Sequence, residues 1–187
     1  TPSKTPNSFF VHYSLPSFDE GQRPVIEPGS EILSGKFVLA DRCILLSKLN
    51  PRIPRIWFIG ELPETTAVAS TEFLVLTPTP ESSLELIYLT VSESGFLERL
   101  QGLTGGTSGS HQRAKPGDVM ALQVLVPPLP VAEELVQASR PLLELARTLN
   151  EENLRLTPMR DLLLPKLVTG EIDVSAIDMD GVVGAAS

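Results

Sequence analysis

Apolar and polar residues change rhythm along this chain, and each rhythm predicts a different kind of element. Up to about residue 80 the apolar positions come in short bursts of β-branched and aromatic residues: "RPVIEPGSEI", "KFVL", "RCILLSKL", "RIWFIG", "TAVAS" and "EFLVLTP". Bursts of this length, bounded by Pro, Gly and small polar residues, predict β-strands. The period then lengthens over "PESSLELIYLTVSESGFLERLQG". Leu84, Ile87, Tyr88 and Val91, followed by Phe96, Leu97 and Leu100, recur three and four residues apart and predict one or two short amphipathic helices. A polar, glycine-rich stretch interrupts at residues 103–113, "LTGGTSGSHQR", and "DVMALQVLVPPLP" predicts a last strand closed by prolines. Mixed short strands with a helical pair predict an α+β domain over residues 1–128.

Beyond Pro130 the chain becomes Leu-rich, charged and poor in strand formers: "VAEELVQASRPLLELARTLNEENLRLTPMRDLLLPKL". Leu135, Ser139, Leu142, Ala146, Leu149, Asn153 and Leu156 alternate at spacings of four and three, the seam of a coiled coil. Residues 129–169 are therefore expected to form a helical spacer, with its long coiled-coil-type helix over residues 131–157. Pro141 and Pro158 each remove a backbone donor, so a kink is expected near each. A lone helix of this length is marginal in water, so its seam calls for a partner, unless the helix folds back on its own domain. Residues 170–187, acidic and then rich in Gly and Ala, read as a flexible tail.

Composition narrows the class. The 187 residues are 42% hydrophobic, and no run approaches the roughly 18 apolar residues of a membrane span, so no membrane partner is expected. The opening "TPSKTPNSFF" lacks the pattern of a signal peptide and carries no initiator Met, which predicts a fragment or a trimmed chain. The single cysteine, Cys43, excludes an internal disulfide and fits a cytoplasmic location. Two histidines and one cysteine, far apart, have no metal-ligand spacing. A net charge of −8 argues against a simple nucleic-acid binder. Its distribution argues the other way: residues 36–55 hold Lys36, Arg42, Lys48, Arg52 and Arg55 against Asp41 alone. Residues 99–117 hold Arg99, Arg113 and Lys115 with no acid. Local basic patches matter more to a phosphate backbone than net charge does, although solvated faces of unrelated elements are the plain alternative.

No arrangement here supports an enzyme. "GGTSGS" lacks the Gly-Lys-Ser/Thr ending of a phosphate loop. It is no nucleophile elbow either, because Thr107 stands where the serine belongs and no histidine–acid pair supports it. His111 reads as a polar loop residue, and Cys43 and Trp57 as core residues.

At "SKLNPR" (47–52), "GTS" (106–108) and "VPPLP" (126–130), followed by the long helix, the chain resembles one half of a type I restriction-modification specificity subunit. That half comprises a target recognition domain and its helical spacer. "VLADRCILLSKLNPRIPRIW", "VASTEFLVLTP", "LQGLTGGTSGSHQRAKPGDVMALQVLVPPLP" and "NEENLRLTPMRDLLLPKLVTGEIDV" resemble successive segments of the family, in the family's order, between residues 24 and 174. Each motif is weak alone, and their order carries the specificity. Val131-Ala132 replaces the family's usual Glu-Gln pair, and Pro158 falls within a helix that usually runs on.

The resemblance implies a non-catalytic protein that reads one half of a bipartite site on double-stranded DNA. The turn would offer Lys48, Asn50, Arg52 and Arg55, and the glycine loop Thr107, Ser108, Ser110, His111, Gln112, Arg113 and Lys115. The cations can neutralise phosphates, an arginine can instead chelate a guanine, and Gln112 can pair with an adenine. The glycines would let backbone N–H groups approach the DNA, unless the loop merely delivers the chain into its last strand. Leu135, Leu142, Leu149 and Leu156, with Asn153 fixing register, would pair with the spacer helix of a second recognition half, running antiparallel, or of a second copy. Methyltransferase subunits would dock and bring S-adenosylmethionine, and a restriction subunit would bring ATP and Mg. The chain itself would hold no cofactor. A helical assembly module that binds protein rather than DNA is the alternative.

Overall fold

The computed structural model describes residues 1–104 and 112–172. A 3-10 turn (Pro2–Lys4) leads into β1 (Phe9–Tyr13), α1 (Leu15–Asp19), β2 (Val25–Pro28), β3 (Lys36–Val38), β4 (Cys43–Ser47), β5 (Ile56–Ile59), β6 (Ala67–Ser70) and β7 (Phe73–Leu76). Then come α2 (Leu84–Ser92), α3 (Ser94–Gly102), α4 (Pro116–Met120) and α5 (Leu129–Val168). Among the described residues the strands form two sheets, ordered β2-β1-β6-β3 and β5-β4-β7. β1 and β6 run parallel, and every other pairing is antiparallel. The expected α+β architecture is what forms.

β4 explains how the layers hold together. All five of its residues are buried, so it reads as a continuous apolar run rather than an alternation. Cys43 and Leu45 point into a core shared with Val11 and Tyr13 of β1, Trp57 and Ile59 of β5, and Ala67 and Ala69 of β6. Ile44 and Leu46 point the other way, into a core with Leu84 and Val91 of α2 and Phe96 and Leu100 of α3. Tyr13 and Phe18 meet the Trp57 ring edge-on, at centroid distances of 4.8 and 5.7 Å, a favoured aromatic geometry. Cys43 and Trp57 are core residues, as their apolar strands predict. At Gly29 an added Cβ would collide with the carbonyl oxygens of Pro2 and Thr5, so only glycine lets the N-terminal turn lie against β2.

Each of the apolar bursts forms a strand, and the lengthened period forms α2 and α3. β1 and α1 were not expected. α1 opens with a capping box in which the Ser14 and Ser17 side chains each bond the other's backbone N–H. The last predicted strand does not form. "DVMALQVLVPPLP" begins inside α4, and residues 121–128 carry no regular structure. Pro116 at the first position of α4 favours the helix, Val119 is buried in the second core, and Pro127 and Pro128 offer no ladder donor.

α5 runs from Leu129 to Val168, past the expected end at residue 157, with Pro141, Pro158 and Pro165 inside it. The chain divides into two compact units, Thr1–Arg140 and Pro141–Ser187. The first unit takes in the opening turns of α5. There Ala132 and Val136 are buried, and Arg140 Nε donates to Glu85 Oε1 at 3.0 Å. These residues lie four apart on one stripe. In the second unit Leu142, Leu149 and Leu156 are exposed, as are Leu163 and Leu167, which continue the same spacing. Gly170, at φ +74°, closes the helix in the left-handed conformation that glycine adopts freely.

Candidate nucleic-acid interface

Beyond β4 the chain does not turn directly into β5. Ser47 Oγ donates to the Leu49 carbonyl at 3.0 Å and accepts from the Leu49 N–H at 3.1 Å. Asn50 then takes φ +50°, a conformation asparagine tolerates better than most residues, and Pro51 is fully buried behind it. Ile53 N–H closes the turn on the Asn50 carbonyl at 2.9 Å. Two other segments are stitched to this turn through the backbone. Lys48 N–H donates to the Glu72 carbonyl at 2.8 Å, just before β7. Asn50 N–H donates to the Gln112 carbonyl at 2.8 Å and Ala114 N–H to the Lys48 carbonyl at 3.0 Å, with Leu49 bridging Arg113.

Parts of the two basic stretches, residues 48–52 and 112–115, are thereby brought together. Lys48, Asn50, Arg52, Gln112, Arg113 and Lys115 come together, anchored by the buried Pro51 and Ala114. Arg113 donates to both Glu72 oxygens, from Nε and Nη2, at 2.9 Å each. Those bonds, joined by the charges of Arg113 and Lys48, hold the Glu72 carboxyl below its usual range against the pull of burial. Among the described residues Arg52 and Lys115 are exposed and enter no ion pair. Around this junction Lys48, Arg52, Arg113 and Lys115 gather, with Glu72 paired to Arg113 and Asp118 one turn beyond Lys115 in α4.

Arg55 is placed differently. Its Nε and Nη2 donate to Asp19 at 2.7 and 2.8 Å, and its side chain is only 12% exposed. These bonds hold the Asp19 carboxyl low, and the arginine pins α1 to β5 rather than presenting a free charge. Thr107, Ser108, Ser110 and His111 lie outside the described residues. Cys43 has a thiol pushed up to about 11 by burial, with Asp41 adding, so it stays protonated and inert. Among the described residues no group of His, Cys, Asp and Glu is placed to hold a metal.

Sequence reasoning missed the carboxylates. Glu72 and Asp19 lie 41 and 36 residues from their arginines, and no local pattern links them. Glu85 is a third case: burial works to raise its carboxyl, but its own amide, Arg140 and Ser83 hydrogen-bond it and hold it low. The seam residues divide between the units, with Leu135 in the first and Leu142, Leu149, Asn153 and Leu156 in the second, all exposed.

This arrangement of two packed sheets, short helices and a long proline-containing helix is the fold of type I R-M specificity subunits. Over 95% of its length the chain matches the HsdS subunit from Thermoanaerobacter tengcongensis, with a TM-score of 0.62 at 18% identity, and covers 47% of that chain. A chain from a structural study of complex assembly and conformational transition in the type I R-M system matches over the same shares, with a TM-score of 0.58 at 18% identity. The chain therefore spans about half the length of these solved structures. No protein-family model and no curated protein matches the sequence.

Proposed function

We propose that this chain is one recognition half of a type I specificity subunit. It reads one part of a split site on double-stranded DNA and docks methyltransferase subunits, with the restriction subunit joining through them. The observation that carries the reading is the backbone-stitched basic junction of Lys48, Arg52, Arg113 and Lys115, standing on an HsdS fold in a chain of net charge −8. A rigid, locally positive surface is what a phosphate backbone attracts, whatever the charge elsewhere. The exposed leucines of α5 support the second part of the reading: a helical spacer whose seam is covered by a second half or a second copy. On this reading the chain is non-catalytic, and S-adenosylmethionine, ATP and Mg belong to its partner subunits.

The test is the salt dependence of duplex binding. Replacing Arg52 and Lys115 with alanine removes two phosphate contacts and should flatten the slope of log K against log salt by roughly 2. A folded double variant with wild-type affinity and slope would take this junction out of the DNA interface. Failure of the wild-type chain to bind duplex even at low salt would leave the protein-binding assembly module as the better reading.

A further inference from the structure

Among the described residues Arg113 is the cation of the junction that is paired with a carboxylate, yet its side chain is 52% exposed. Glu72 takes the Nε–Nη2 edge of its guanidinium. The outer edge, with one N–H from Nη1 and the second N–H of Nη2, has no partner among the described residues. Both members of the pair are fixed through the backbone, Glu72 by Lys48 and Arg113 by its bridge to Leu49 beside the buried Ala114. The outer edge is therefore a two-pronged donor held in one direction by groups that do not themselves move freely.

Two acceptors suit such a fork: a phosphate and a guanine, whose O6 and N7 lie side by side in the major groove. Glu72 decides between them. A phosphate brought to the outer edge would face the Glu72 carboxylate across the same guanidinium, whereas guanine accepts both bonds without bringing a charge. No other base edge in the major groove offers two adjacent acceptors. Lys48, Arg52 and Lys115 remain for the phosphates. We propose that Arg113, oriented by Glu72, reads a guanine of the recognised sequence, and that Glu72 is a positioning residue for this contact. The assignment rests on the DNA-reading function proposed above.

Selecting bound duplexes from a random pool with the full chain gives the recognised site, and each guanine in it is then replaced by 7-deazaguanine, which lacks the N7 acceptor. Wild type is expected to lose roughly tenfold in affinity at one such guanine. Arg113→Ala binds the native site more weakly and becomes indifferent to that replacement, whereas Arg113→Lys, a point donor without the fork, binds it more weakly than wild type. Glu72→Gln gives the signature that a merely structural role would not: tighter binding to random duplex, because a negative charge is gone, together with several-fold weaker discrimination at the same guanine. If the wild type enriches no sequence, the DNA reading falls and this assignment with it. If a site is enriched but the effect of every 7-deazaguanine survives in Arg113→Ala, only the assignment falls. Wild-type discrimination in a folded Glu72→Gln chain overturns the positioning role of Glu72.

Discussion

Arg55 and Arg113 make the same bidentate contact with a carboxylate and serve opposite ends. Arg55 is turned inward and ties α1 to β5 through Asp19, while Arg113 keeps one edge in solvent. Arg55→Ala should accordingly lower the stability of the first unit by about 1 kcal/mol, since Asp19 is half-exposed and the pair is partly screened. Urea unfolding reads that loss, and an unchanged salt slope for DNA would separate it from the junction residues. The carboxyls also set an acid limit. Asp19, Glu72 and Glu85 are all held below their ordinary values, so their contribution to stability is complete above the unfolded range near 4. It is lost as the pH falls through the lowered folded values. Melting temperature should drop on acidification below about pH 4, and the drop should be smaller in an Asp19→Asn, Glu85→Gln chain. The basic residues themselves were legible in the sequence. Which of them are neutralised was not, because pairing across 36 or 41 residues is a property of sheet register and not of any local pattern.

Among the elements, the strands were the most legible, because each apolar burst is short, β-branched and bounded by breakers. The failed strand after residue 117 carries the same composition and differs in context. Pro116 starts a helix there, and Pro127 and Pro128 leave the following segment without ladder donors. Helix α5 shows a second limit. Its heptad seam was readable, but the stripe of Ala132, Val136 and Arg140 that seats its opening turns on the first unit was not. That stripe holds too little apolar surface to stand out beside the leucines. Removing Arg140 leaves Glu85 buried without its cation, and Arg140→Ala should lose about 1–2 kcal/mol, between the values of a surface and a buried pair. The same change should leave the leucine seam intact, so any effect on assembly would show that the seat of the helix matters as well as its seam.

For the molecule as a whole, the chain spans about half the length of the solved structures it matches, and on the proposed reading its exposed seam is covered by a second half or a second copy. Replacing Leu142 and Leu149 with aspartate should abolish pairing through the helix while the first unit keeps its melting temperature. Unchanged assembly in sedimentation would refute the spacer role. The place of β4, with alternate side chains in two different cores, has a consequence of another kind for the first unit. β4 cannot leave one core and stay in the other, since alternate side chains of the one strand fill both. Amide hydrogens of Ile44 and Leu45 should therefore exchange with solvent only when all of Thr1–Arg140 opens, with a protection free energy equal to that of global unfolding. Leu45→Ala, which empties part of one core, should lower the protection of the Ile44 amide by as much as it lowers global stability, although the Ile44 side chain lies in the other core.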